Sequence, residues 1–369
     1  MQLCLVSKRF EAKLASKGSQ GALGLSTIRD VARRAGVAIS TVSAVINRSA
    51  PTSADVVARV ERAVAEIGYS PQRAAQTLRS GRSRLIGVIV PDITNPHFSA
   101  LARIVEKECL QAGYMTFVYN TDEDTNHEMR ILRMMRRERV AGLILISTRS
   151  DARHGRRLMQ EIHVPTVLMG SAVSGAPYDL VALDDLQAGA MAAGRLLELG
   201  HRRIVVIGGR RGVSSHGLRV RGCRMAFREH GLKLTESQIR CANFTSGEAY
   251  EQTILCMSAS TPPTALISLS NFMTIGVMRA LDAVKRRCPE DVSLIGVDDL
   301  DWADVMSLRP TLIAQPIEEM TRAAIATLLD EVARGSLPSN RQLLFAPRLV
   351  ERASCAQWRG EQVTTTPQC

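Results

Sequence analysis

The stretch Thr27–Asn47, TIRDVARRAGVAISTVSAVIN, limits what this chain can fold into more than any other. Ile28, Val31, Ala32 and Ala35 recur at helical spacing, and Gly36 then breaks the run. Val42, Val45 and Ile46 resume the spacing, which predicts two short helices joined by a tight turn. Thr27 followed three residues later by Asp30 is an acidic relative of the capping box and starts the first helix. Glycine suits the turn because, lacking a Cβ, it enters positive φ freely. The outer side of the second helix is predicted to carry Ile39, Ser40, Thr41, Ser43, Ala44 and Asn47, which are small and uncharged. A solvated face more often carries Glu and Lys. This one is shaped to approach another surface, as helix-turn-helix proteins approach the DNA major groove.

A third helix is expected from Ser53, its N-cap, with Val56, Val57, Val60, Val64 and Ile67 on its apolar side and Gly68 at its end. Three helices around one small core make a headpiece over residues 27–70. Residues 71–84 form the link, in which Pro71 can open a short helix-favouring run from Gln72 to Leu78. That run is too short to be a stable helix alone, so it is expected to fold against DNA or a partner subunit.

Charge is distributed accordingly. The chain has 369 residues and a net charge of +11, yet residues 1–84 hold 14 Lys/Arg against 5 Asp/Glu, a surplus of 9. The remaining residues hold 33 against 31. A basic head on a near-neutral body points to nucleic acid. The eight cysteines show no CxxC or Cys/His metal spacing and read as thiols of a reducing compartment. Residues 1–26 read as an N-terminal tail without the apolar core of a signal peptide. No apolar run reaches membrane-spanning length. A cytoplasmic location is the expectation.

From Leu85 the pattern changes. Apolar runs at Leu85–Val90, Met115–Tyr119, Gly142–Ile146, Val164–Met169, Ile204–Gly208, Thr264–Leu269 and Val292–Val297 alternate with helical stretches ending in Ile317–Arg334. Buried strands alternating with amphipathic helices mean parallel sheets with right-handed crossovers. The length exceeds one sheet, so residues 85–352 are expected to form two α/β lobes around a ligand cleft, with residues 353–369 as a C-terminal tail.

These motifs together resemble the LacI/GalR (lactose-repressor) family of bacterial transcription regulators. Besides TIRDVARRAGVAISTVSAVIN, the segments GYSPQRAAQTLRSGRS, IGVIVPDITNPHF, LGHRRIVVIGG, PEDVSLIGVDD and QPIEEM stand in family order. The resemblance implies an all-α helix-turn-helix headpiece, a hinge helix, and an α/β two-lobed core like that of periplasmic sugar-binding proteins. It implies a homodimer on a pseudo-palindromic operator, repression, and control by a small effector, a sugar or sugar acid, between the lobes. No cofactor, metal or membrane partner is implied.

On this resemblance Ile39, Ser40 and Ala44 occupy base-reading positions. Ile39 and Ala44 can only touch thymine methyls, while Ser40 can serve several bases. Many relatives carry Arg where Ala44 stands, and Ala38 replaces the usual Ser cap. Thr41, Ser43 and Asn47 match phosphate contacts, with local capping the competing role for Thr41 and Asn47. Thr27 and Arg73 join this DNA-facing set. Leu78 matches the hinge leucine that wedges into the minor groove, Ala75 its small neighbour, and Gln72 replaces a frequent Asn. For the effector, Asp92, His97 and Phe98 follow the first core strand, where α/β folds place ligands. Arg219 matches an arginine that binds a ligand hydroxyl or carboxylate, and Asp298 an acceptor of paired hydroxyls. Ser270 and Asn271 stand where relatives have Asn-Asp, and Gly170 and Ser171 where they have Asp-Arg. Trp302 is a candidate to stack on a sugar face, against an equal case for a packing role.

Three other readings compete. An enzyme has only Gly208-Gly209 to suggest a phosphate loop, without GxGxxG, GxxxxGK[ST], HExxH or GxSxG. Asp184-Asp185 reads as ordinary strand-end acid. A transport-type sugar-binding protein leaves the headpiece unexplained. A headpiece that has lost DNA binding is suggested by Ala38 and Ala44.

Overall fold

A computed structural model describes residues 26–47, 49–69, 83–299, 303–335 and 340–359. The chain divides between residues 82 and 83 into two compact units.

The first unit holds α1 (Ile28–Ala35), α2 (Ile39–Asn47) and α3 (Ala54–Ile67). Asp30 accepts hydrogen bonds from the Thr27 amide (2.9 Å) and hydroxyl (2.7 Å), closing the start of α1. These bonds hold the Asp30 carboxyl below its usual range. Gly36 ends α1 at φ 65°, in the left-handed region. Val31, Ala32, Ala35, Val42, Val60 and Ala63 form the core, and Arg34 Nε donates to Glu66 across α1 and α3 at 2.6 Å. Ser53 holds the N-cap position of α3 without a side-chain cap bond.

The second unit is built of two six-stranded sheets. Lobe 1 contains β1 (Leu85–Val90), α4 (Pro96–Gln111), β2 (Met115–Asn120), α5 (Thr125–Arg137), β3 (Gly142–Leu145), α6 (Ala152–Glu161), β4 (Thr166–Met169) and β5 (Asp179–Leu183). Lobe 2 contains α7 (Asp185–Glu198), β6 (Ile204–Gly208), α8 (Ser214–Glu229), β7 (Ile239–Cys241), α9 (Ser246–Met257), β8 (Ala265–Ser268), α10 (Asn271–Ala283), β9 (Ser293–Val297) and β10 (Thr311–Ala314). The chain then returns to lobe 1 as α11 (Ile317–Arg334) and β11 (Gln342–Phe345), and ends in lobe 2 as β12 (Arg348–Val350). Strand order is β11-β5-β4-β3-β1-β2 in one sheet and β12-β10-β9-β8-β6-β7 in the other. Every pairing is parallel except that of β12 with β10.

Away from the edge strands, the apolar strand runs are buried on both faces because helices cover both sides. All of Val88–Val90, Ile144–Leu145 and Leu294–Ile295 are inaccessible. α7 and α8 pack closely enough that a Cβ on Gly189 would lie 1.9 Å from the Arg219 carbonyl oxygen. Core packing continues past the expected boundary at Arg352. Ser354 is buried, donates to the Leu294 carbonyl at 2.6 Å and accepts from the Thr311 amide at 2.7 Å. Among the described residues no helix is long and apolar enough to cross a membrane.

Candidate functional site

In the headpiece, the start of α2 is open. Ile39 is 45 % exposed, Ser40 is exposed, and Thr41 and Ala44 are half-buried. With Ala38 at the cap, backbone bonds close this end, from the Thr41 and Val42 amides to the Ala38 carbonyl. Ser43 corrects the expectation of an outward phosphate contact. It is 6 % exposed, because it follows Val42 around the helix toward the three-helix core. The side chain of Asn47, and Gln72, Arg73, Ala75 and Leu78 in the link, lie outside the described residues.

In the core, a cleft of about 480 Å³ lies between the lobes at the carboxyl ends of the strands. Parallel sheets point their strand ends and the amino ends of the following helices at this place. Asp92, His97, Phe98, Gly170, Arg219 and Asp298 all line it, as do Asp185, Glu123, Phe244 and Phe272. The glycine pair after β6 is explained by packing here. A Cβ on Gly209 would lie 2.1 Å from the Phe244 ring, and one on Gly208 2.6 Å from His216. Gly170 sits at φ 79° with no atom within 4 Å of a would-be Cβ, leaving room where a side chain could project.

Arg219 is the electrostatic centre. It is 6 % exposed, and its Nε donates to Asp185 Oδ1 at 2.7 Å. Its Nη1 donates to the Leu269 carbonyl at 2.5 Å, and its Nη2 lies 3.9 Å from Asp298 Oδ1. Burial alone would lower its pKa, but Asp185 and Asp298 together hold it above its ordinary value. Gln315 donates to Asp298, whose backbone is in the left-handed region at φ 74°. Burial pushes His97 below its ordinary value, with Asp298 opposing and Arg219 reinforcing. Its imidazole is therefore neutral at neutral pH. Asp92 Oδ1 accepts from the Thr94 amide and hydroxyl at 2.9 and 2.7 Å.

Polar contacts tie the lobes together around this cavity. Asn271 Nδ2 donates to Asn95 Oδ1 at 2.7 Å and Asn95 Nδ2 donates to Asn271 Oδ1 at 3.1 Å. Arg210 Nη1 donates to the Glu123 carbonyl at 2.7 Å and lies 3.6 Å from its carboxylate. The Ser150 amide donates to the Gly212 carbonyl, and the Ser214 amide to Ser150 Oγ, both at 2.9 Å.

Comparison with known proteins decides the family. The ribose operon repressor of Escherichia coli (strain K12) is 33 % identical over 331 residues, 89 % of this chain and all of that one. The chain belongs to the lacI family of bacterial regulatory proteins. The family model described as bacterial regulatory proteins, lacI family, matches residues 27–72, and the periplasmic binding protein-like domain matches residues 193–355. Among solved structures, a transcriptional regulator CelR–cellobiose complex is 27 % identical with a TM-score of 0.67, covering 89 % of this chain and 99 % of that one. The lac repressor dimer bound to operator and the anti-inducer ONPF shares the fold, with a TM-score of 0.80 at 24 % identity over 90 % of this chain and 99 % of that one. This LacI-family chain is a DNA-binding transcriptional repressor, and its relatives are repressors rather than enzymes.

One effector position of this repressor needs correction. Asn271 does not line the cavity. It is fully buried, and its carboxamide is taken up by Asn95 and by the Phe272 amide, which donates to Asn271 Oδ1 at 2.7 Å. Trp302 lies outside the described residues. Sequence reasoning missed Asp185, taken for an ordinary strand-end acid, as well as Asn95 and Glu123. The one available signal was that Asp185 follows Leu183 at a strand end, where ligand-facing groups collect.

Proposed function

We propose that this repressor is a cytoplasmic homodimer that binds a pseudo-palindromic operator and is controlled by a neutral sugar held in the interlobe cavity. The observation that carries the effector reading is the saturation of Arg219. Two carboxylates already compensate its charge, so a sugar acid brought beside it would add a third anion without a free cation to meet it. Neutral hydroxyls suit the cavity better. Asp92 and Asp298 offer acceptors, His97 a neutral imidazole, and Phe98, Phe244 and Phe272 apolar faces for sugar C–H groups. The sugar named for the ribose operon repressor and the cellobiose of the CelR complex are of this neutral class.

The dimer reading is supported by the free edge of lobe 1. β2 ends its sheet with Met115 and Val118 about two-fifths exposed, and Leu110 on the adjoining α4 is 62 % exposed. An apolar sheet edge of this kind is ordinarily covered by a partner. In the headpiece, Ile39, Ser40 and Ala44 are assigned to base edges and Thr27 and Thr41 to the backbone, with Ile39 and Ala44 restricted to thymine methyls. Leu78, with Ala75, Gln72 and Arg73, is assigned to the operator centre.

Selection from a random duplex pool at moderate salt tests the DNA reading. A recovered inverted repeat whose binding is lost in Leu78→Ala supports it, and salt-sensitive binding without any motif would overturn specific readout. Isothermal titration with neutral sugars and with uronic acids tests the effector reading, which fails if only the acids bind.

A further inference from the structure

The outer face of lobe 1 made by α5 and α6 carries a charge imbalance that neither site above uses. α5 seats Met129, Ile131, Leu132 and Met135 toward the sheet, and α6 seats Leu158. The same two helices turn Arg130, Arg133, Arg136, Arg137, Arg153 and Arg156 to solvent. No exposed carboxylate stands on either helix. Glu128 is fully buried against His154 at 2.7 Å. Glu161 is half-buried and shared by Arg133 at 2.8 Å and Arg136 at 3.9 Å. The preceding Asp124 and Asp151 are spent as N-caps on the Asn126 and His154 amides.

Helix electrostatics explain part of this pattern. Arg136 and Arg137 sit in the last turn of α5, where the helix dipole favours cations. Arg153 does not fit that account, because it lies in the first turn of α6, where the dipole opposes a cation. Arg156, mid-helix, gains nothing from either end, and Arg130 has only the exposed Asp124 ahead of α5 within electrostatic reach. Arginines in neutral or unfavourable helix positions, on helices whose exposed acids are confined to the flanking Asp124 and Glu138, point to an external anion.

The kind of anion follows from what the face lacks. A protein partner is gripped by apolar and aromatic anchors, and Met159, 40 % exposed, is the one large hydrophobic that α5 and α6 leave open. The phosphate backbone needs no such anchor, and the guanidinium fork matches it. We propose that the α5–α6 face of lobe 1 is a second, sequence-independent DNA-binding surface, taking the sugar–phosphate backbone of duplex outside the headpiece's recognition site. This rests on the family's DNA binding. From Arg130 to Arg137 the helix rises about 10 Å, against a phosphate every ~3.4 Å of axis per strand, so each protomer can meet about three phosphates.

The test titrates the full chain against a fluorescent random-sequence duplex of about 60 base pairs, over about 50–300 mM salt. Arg130→Glu/Arg153→Glu/Arg156→Glu is compared with wild type, and with the corresponding triple Gln variant to separate charge from helix damage. Thermal unfolding of each verifies the fold. The slope of log affinity against log salt should fall in magnitude by about 2–3, with on the order of tenfold or greater loss of affinity at about 100 mM salt. The Gln variant should fall between the two. An unchanged slope in folded variants, with wild-type binding intact, overturns the proposal and leaves the headpiece reading standing. Failure of the wild type to bind random duplex at low salt overturns it too, and retained binding to a selected operator would then spare the headpiece reading.

Discussion

The carboxamides of Asn95 and Asn271, 176 residues apart, exchange two hydrogen bonds of 2.7 and 3.1 Å between the lobes. Each amide oxygen also accepts a backbone N–H at the start of its own helix, His97 on α4 and Phe272 on α10. Two helix amino ends are thereby satisfied and clasped together. Asn271→Asp keeps both acceptor functions and loses the donor, setting its carboxylate against the Asn95 oxygen. One net hydrogen bond is worth about 1 kcal/mol, enough to shift a lobe equilibrium about fivefold. Small-angle scattering without effector should show a larger radius of gyration for Asn271→Asp, and stopped-flow should show faster effector entry. Identical scattering curves would mean the clasp does not hold the lobes.

Arg219 neutralises two buried carboxylates, so its removal should be felt in stability as well as in binding. Arg219→Met leaves Asp185 and Asp298 without their shared cation, and stranding buried charge costs about 3–5 kcal/mol. Adding Asp185→Asn should return part of that loss. Urea unfolding of the two singles and the double supplies the coupling energy. Simple additivity would contradict the ion-pair account.

Stability should also depend on pH through Glu331. This residue of α11 is 3 % exposed beside Asp179 of β5, and Arg341 grips Asp179 from its backbone amide, Nε and Nη2 at 2.9 Å each. Burial first, then the Asp179 charge, pushes the Glu331 carboxyl up to about 7 from an ordinary value of 4.5. A folded value above the unfolded one means the folded chain binds the extra proton. The associated stability is complete below about 4.5 and is lost as pH rises through about 7. Glu331→Gln should therefore leave the thermal midpoint nearly unchanged near pH 5 and raise it near pH 8, where the substitution stabilises by on the order of 2 kcal/mol. Calorimetry at both values distinguishes this from a pH-independent effect.

The parts of this fold that could be read from sequence are those whose pattern is local. The headpiece helices, the run Ile317–Arg334 and the apolar strands of both sheets follow from spacing within a few residues. α6 is hidden because ARHGRRLMQE has only Leu158 and Met159 as large apolar residues, and it buries His154 and Gly155 beside Leu158. β5 opens on a charged residue, Asp179, whose burial depends on Arg341 more than 160 positions away. Asp185 is legible as a strand-end acid, but its pairing with Arg219, 34 positions away, is not, and with it goes the reason Arg219 is not free. Asp92, His97, Phe98 and Asp298 were placed at the cavity because they follow recognisable strands. Asn271 was misplaced because its partner is set by closure of the lobes, which no local pattern encodes. Ser43 was misplaced by one helical position.

Two glycines of α7 provide a matched test of how packing positions the site. A Cβ at Gly189 would meet the backbone of Arg219 at 1.9–2.8 Å, whereas one at Gly194 would meet nothing within 4 Å. Backbone cannot rotate away as a side-chain tip can, so Gly189→Ala must push α7 off α8. Such overpacking costs about 1–3 kcal/mol, and it moves Asp185 on α7 relative to Arg219 on α8, weakening their 2.7 Å bond. Gly194→Ala gains helix propensity without a clash and should stabilise by about 0.5–1 kcal/mol. Denaturation midpoints should thus shift in opposite directions for two identical substitutions five positions apart in one helix. Effector affinity, measured by calorimetry, should fall only for Gly189→Ala. If both lose stability equally, helix propensity and close approach do not govern this interface, and the position of Arg219 must be set from the cavity side.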